Sequence, residues 1–103
     1  MARYKLAKTA EKDFENILDF GIDTFGLTQA LNYQLGMKKR FEELAEDPKR
    51  YVAVDYIRTG YYRSVYRSHS IFYKIELNYV LIVRILGQQE PRNALSSRFS
   101  HLD

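Results

Sequence analysis

A chain of 103 residues with 46% hydrophobic and 28% charged residues, five Gly and two Pro is large enough for one modest core and too small for a second. Its composition excludes extended disorder, its lack of Cys excludes disulfides, and a net charge of +3 with a pI near 9.2 favours acidic partners. No run approaches the roughly 18 apolar residues of a membrane span, and the opening MARYKLAKTAEKDF lacks the apolar stretch of a signal peptide, so a cytoplasmic location without a membrane partner is expected.

In chain order, Arg3 to Lys8 alternates, with Tyr4 and Leu6 on one side, and reads as a short strand added to a sheet formed later. Thr9 is placed as a helix N-cap, with Lys12 where a capping box would carry Glu. Ala10, Phe14, Ile17, Leu18, Gly21 and Phe25 then step by three and four, which predicts a helix ending near Thr24, with Gly26 supplying a left-handed break. A second helix is predicted from Thr28 to Glu46, with Ala30, Tyr33, Met37, Phe41, Leu44 and Ala45 along one face and Pro48 as its stop. A break of three or four residues between the two favours an antiparallel hairpin of helices. Asp13, Glu15, Asp19 and Asp23, and the runs Lys38-Lys39-Arg40 and Lys49-Arg50, read as solvated surface. Lys49 to Thr59 is expected to be irregular, with a short extended piece at Asp55 to Ile57, and Gln88 to Asp103 reads as a polar tail of the same domain.

The most informative stretch is GYYRSVYRSHSIFYKIELNYVLIVRILG, from Gly60 to Gly87, in which β-branched and aromatic segments alternate with short polar breaks. It predicts a three-stranded antiparallel meander. With a two-residue turn at Ser68-His69, Arg67 faces Ser70 and Tyr66 faces Ile71. With a three-residue loop centred on Asn78, Ile75 faces Leu81. These registers send Tyr62, Tyr66, Ile71, Tyr73, Ile75, Leu81, Val83 and Ile85 to one face, which the helices would cover. Arg63, Arg67, Phe72, Lys74, Ile82 and Arg84 share the other face with Tyr61, Val65, Glu76 and Val80. The predicted fold is therefore α+β, in the order β-α-α-β-β-β, with a helical hairpin on a small antiparallel sheet.

The order of these elements, and the words YKLAKTAEKDFENILDF, FGLTQALNY, FEELAEDP, IRTGYYRSVYRSHSIFY and IVRILGQQEP within it, resemble the RelE/ParE superfamily of bacterial type II toxins, and its ParE branch in particular, over about residues 4 to 92. The resemblance implies a plasmid-stabilising type of toxin that binds DNA gyrase and is held inactive by a ParD-like antitoxin with an acidic C-terminal segment. DNA would be met only indirectly, through the antitoxin complex. A face mixing apolar groups and cations suits such a segment, so Arg63, Arg67, Phe72, Lys74, Ile82 and Arg84 are the antitoxin-binding candidates. For gyrase, position and resemblance alone point to the tail, at Gln88, Gln89 and Arg92.

The rival within the superfamily is the RelE-type ribosome-dependent mRNA endoribonuclease. Cleaving RNA requires basic and acid-base groups that converge on the scissile phosphate. Arg63 stands where that branch places an arginine and Arg84 is a second plausible phosphate contact, but Gly87-Gln88-Gln89-Glu90-Pro91 follows the last strand where RelE-like enzymes carry a His or Tyr with further basic residues. Tyr61, Tyr62 and Tyr66 are the remaining acid candidates. No catalytic residues are assigned, and the chain is read as a non-enzyme. His69, in the predicted turn, and His101, in the tail, do not form a metal-ligand set, and no cofactor motif occurs. Nine tyrosines raise a second alternative, a non-catalytic single-strand nucleic-acid-binding module with aromatic platforms. Parity opposes it, because Tyr62, Tyr66 and Tyr73 fall on the core face.

Overall fold

The computed structural model describes residues 3–87, so Gln88, Gln89, Arg92 and the polar tail lie outside the described residues. Strand β1 (Tyr4–Leu6) leads into α1 (Lys8–Phe25) and α2 (Leu27–Glu46), followed by a 3-10 turn over Pro48–Arg50 and by β2 (Val52–Ala53), β3 (Tyr61–Tyr66), β4 (His69–Ile75) and β5 (Val80–Gly87). The strands form one five-stranded sheet in the order β1-β5-β4-β3-β2. Among the described residues no helix is long and apolar enough to cross a membrane.

The α+β hairpin-on-sheet architecture agrees with the expectation, with local corrections. The sheet is mixed rather than wholly antiparallel, because β1 runs parallel to β5, pairing Tyr4 with Val80 and Leu6 with Ile82. The short extended piece lies at Val52–Ala53, not at Asp55 to Ile57. Thr9 is not the cap of α1. The helix starts directly from Ala7, which makes no side-chain cap, and the Thr9 hydroxyl donates instead to the Val83 carbonyl at 2.9 Å.

Gly26 alone separates the helices, in place of a longer break, and does so at φ 95° and ψ 162°. That region is open essentially to glycine only, so the hairpin depends on the missing Cβ. Gly26→Ala should therefore lower stability by about 1–3 kcal/mol although nothing stands near the added methyl. A urea titration of the variant measures it, and an unchanged midpoint would contradict the argument.

The Phe41 and Met37 side chains of α2 pack with Ala10 of α1 onto Ile71, Tyr73, Val80, Ile82 and Ile85 of the sheet. A second cluster, Val54, Tyr61, Phe72, Val83 and Leu86, lies on the opposite sheet face. It is roofed by residues 54–60, a loop closed on itself by Val54 N–H donating to the Tyr61 carbonyl at 2.8 Å and Gly60 N–H donating to Asp55 Oδ1 at 2.8 Å.

The meander's faces follow from two register differences with opposite consequences. Between β3 and β4 the turn is Arg67-Ser68, with Arg67 at φ 52°, so that Tyr66 pairs with His69 and Tyr62 with Tyr73. This moves each pairing by two positions and leaves every side chain on its expected face. Between β4 and β5 a bulge intervenes. Phe72 pairs with Arg84 but Tyr73 with Ile82, leaving Val83 as the extra residue. Beyond the bulge parity is inverted, so Val80 and Ile82 turn to the helices while Leu81 and Val83 join the second cluster.

Candidate functional site

Of the six residues expected on an exposed partner face, the structure brings three to accessible positions. Arg63 and Lys74 are half-buried on the face away from the helices, and Arg67 is exposed in the β3–β4 turn. Lys74 has Glu76 within 3.5 Å, and the Arg67 guanidinium lies over the Tyr66 ring, 5.7 Å from its centroid.

The other three are differently employed. Phe72 and Ile82 are fully buried, the first under the 54–60 loop and the second against the helices through the bulge. Arg84 is held by Asp13 of α1: its Nε and Nη2 donate to the two carboxylate oxygens at 2.7 and 2.9 Å, with the side chains only 15% and 12% exposed. The Ile85 N–H donates to the same carboxylate at 3.0 Å. Asp13 is thus no member of a solvated acidic face. Together with Thr9, four residues earlier on α1, it satisfies the backbone of β5 where β1 has ended, so helical side chains take the place of a neighbouring strand.

Two further groupings were not visible in the spacing of residues. Arg40, read as part of a solvated run, donates to Ser64 Oγ at 3.0 Å and to the Val65 carbonyl at 2.7 Å, pairs with Glu43 at 3.1 Å, and so ties α2 to β3. His69 is the first residue of β4 rather than a turn residue, and its Nδ1 lies 2.7 Å from the Tyr33 hydroxyl, with the rings edge to face. The Tyr33 hydroxyl also lies 3.2 Å from Ser68 Oγ. Long-range contact of α2 with the β3–β4 turn creates this cluster, and no local pattern announces it.

Burial lowers the His69 pKa from its ordinary 6.5, with the Asp13 carboxylate in partial opposition. Below pH 6.5 the unfolded chain takes up a proton that the folded chain resists, so stability falls as pH drops through that value. The neutral ring can accept the Tyr33 hydroxyl proton at Nδ1, and the protonated ring cannot. The urea midpoint should be lower at about pH 5.5 than at about pH 7.5, and His69→Gln should reduce the difference. An identical pH dependence in both proteins would exclude His69 as its source.

The tyrosines do not form an exposed platform. Tyr73 is fully buried, donates to the Pro48 carbonyl at 2.6 Å, and has its pKa raised by that burial. Tyr62 stacks on it at 5.6 Å, and Tyr61, expected outside the core, is buried in the second cluster. Among the described residues no group of three or more His, Cys, Asp or Glu side chains is placed to hold a metal ion.

Large apolar side chains are nevertheless exposed at the hinge end of the hairpin, with Phe20 at 66% and Phe25 at 59%. These two line a cleft of about 330 Å3 between the hairpin and the β3–β4 turn, together with Ile17, Gly21, Ala30 and Tyr33, and with Arg67, Ser68 and His69 at its polar side.

The family model for the ParE toxin of the type II toxin-antitoxin system parDE matches residues 4–91. The chain is similar to Toxin ParE1 of Caulobacter vibrioides, at 31% identity over 88 residues covering 85% of this chain and 91% of that protein. Toxin ParE1 of Mycobacterium tuberculosis is 32% identical over 89 residues, with the same 85% and 91% coverage. Among solved structures, a chain of the chromosomal ParDE TA system from P. aeruginosa shares the fold with a TM-score of 0.74 at 17% identity, over 84% of this chain and 96% of that one. A conserved hypothetical protein from Helicobacter pylori shares it with a TM-score of 0.60 at 21% identity, over 87% and 98%.

Proposed function

The chain belongs to the ParE family of toxins of type II toxin-antitoxin systems, and on that premise we propose that it acts without catalysis, by binding DNA gyrase and disturbing strand cleavage and religation, and that a ParD-like antitoxin with an acidic segment neutralises it. The observation that carries the non-catalytic reading is the state of Arg84. A guanidinium meant for a scissile phosphate has to meet it with its charge available, whereas this one is engaged at both ends of the Asp13 carboxylate in a largely dry site. Arg63, Arg67 and Lys74 remain the candidate antitoxin contacts that lie at accessible positions, and Gln88, Gln89 and Arg92 remain the gyrase-contact candidates. Charge reversal at Arg63 with Lys74 tests the antitoxin face without disturbing the Asp13 pair.

Parallel reactions with the purified chain test the function: plasmid supercoiling and cleavage by gyrase, and mRNA integrity on programmed ribosomes. Lost supercoiling or trapped cleaved plasmid, with intact mRNA, is the expected result. Site-specific mRNA cuts with gyrase unaffected would replace the proposal with the endoribonuclease reading.

A further inference from the structure

Helix α2 carries a second apolar line that the fold leaves in water. Leu27, Leu31 and Leu35, spaced by four, are 57%, 43% and 63% exposed. At about 100° per residue this line is centred about 110° from the buried line of Ala30, Met37, Phe41 and Leu44, and about 180° from Arg40, which reaches β3. It therefore clears the sheet and borders α1, where the half-buried Leu18 and Ile22 lie about 160° from Asp13, the residue bound to β5. The outward groove of the hairpin is apolar along its middle. Two contacts set the register of its walls: a Cβ on Gly21 would lie 3.1 Å from that of Ala30, and the rings of Phe14 and Phe41 are 5.6 Å apart between centroids. As antiparallel neighbours, the helices place Lys12 of α1 level with Glu42 of α2 and Glu15 of α1 level with Lys39 of α2, all within one turn of the Phe14–Phe41 contact. These four side chains are exposed, and among the described residues none of them forms an ion pair.

We propose that this groove is the self-association face of the chain, with a second copy of the hairpin as its occupant. The inference concerns the chain alone and does not depend on the gyrase or antitoxin readings. A two-fold axis along the groove lays α1 of one copy over α2 of the other, antiparallel and at the same level, so the contact is isologous. Leu31 then meets Ile22 of the second copy and Leu35 meets its Leu18, which removes the leucine line from water. The same operation sets Lys12 against Glu42 of the second copy and Glu15 against its Lys39, so every charge meets its opposite, and each pair occurs twice. A partner of one sign does not match this pattern, because an acidic segment laid in the groove would meet Glu15 and Glu42 as well as the lysines. The outward face of the two helices measures about 27 by 20 Å, or about 500 Å2 on each copy, which lies at the lower limit of specific interfaces. The dimer is therefore weak, with a Kd of about 10–100 µM.

Sedimentation equilibrium of the full-length chain over a range of concentrations tests this, with each variant first shown to keep the wild-type urea midpoint, as its exposed positions lead one to expect. The wild-type chain should pass from monomer to dimer, and Leu31→Ser with Leu35→Ser should weaken the dimer by about tenfold or more. Leu77→Ser, at a residue 94% exposed on the β4–β5 loop, should leave it unchanged. The decisive variants are Lys12→Glu and Glu42→Lys. Either one alone sets like charges against each other twice in its own dimer and should stay monomeric where the wild-type chain is half associated, whereas an equimolar mixture of the two restores both unlike pairs and should dimerise. A wild-type chain that remains monomeric well above the expected range, a dimer that the leucine variants leave intact, or a mixture no more associated than its components would each overturn the proposal. A wild-type chain that is monomeric throughout while the leucine variants lose affinity for the antitoxin would overturn it in favour of the antitoxin as occupant.

Discussion

Asp13→Ala should destabilise the chain by about 3–5 kcal/mol, the cost of removing one partner from a largely buried ion pair. The loss has more than one origin. Arg84 would keep its charge in a site that excludes most water, and the Ile85 N–H would lose the carboxylate that replaces a neighbouring strand. Against the 5–15 kcal/mol typical of a whole domain, that is enough to populate unfolded chain in a mild denaturant. Asp13→Asn separates the contributions, because the amide oxygen can still accept from Ile85 while the charge is gone. Urea titrations of both variants, with amide exchange at Ile85, make the measurement. A loss below about 1 kcal/mol for Asp13→Ala would place the pair among surface ion pairs and would return Arg84 to the groups available for a partner or a phosphate.

Asp13 also shows where the sequence is legible and where it is not. The apolar steps along α1 and α2 repeat every three or four residues, so the hairpin and its buried face could be read directly. Asp13 lies beside that face on α1, and its four-residue spacing from Thr9 is a signal only once β1 is known to stop at Leu6 and leave the rest of β5 without a strand beside it. The β3 and β4 faces survived an error in the turn because a shift of two positions conserves parity. The β5 face did not survive, and the reason is chemical. In VLIVRIL both parities are apolar, so either register appears to satisfy the core, and only the packing of Val83 under the 54–60 loop selects the bulge. The hinge cleft was hidden for a related reason, since it arises where Gly21 meets Ala30, a contact between helices that neither helix displays alone.

The 54–60 loop makes the second prediction sharp, because by covering Phe72 it reverses what a surface reading of the meander would expect. Phe72→Ala should cost about 3–5 kcal/mol, the usual range for emptying a buried aromatic site, whereas Arg63→Ala, its partner in the β3–β4 register, should stay within about 0.5 kcal/mol as an ordinary surface change. Phe72 has no exposed surface and is enclosed by Val54, Tyr61, Val83 and Leu86. Its removal therefore leaves a void that the sheet cannot close from below and that the loop can close only by breaking its own hydrogen bonds. Arg63, half-exposed on the same sheet face, leaves no such void. Measured together with antitoxin affinity, the pair separates stability from recognition: loss of stability at Phe72 with retained affinity per folded molecule, and loss of affinity at Arg63 with retained stability. A stable Phe72→Ala that binds antitoxin poorly would mean that the 54–60 loop opens to expose the phenyl ring to the partner. The second cluster would then be a binding site closed in the free chain rather than part of its core.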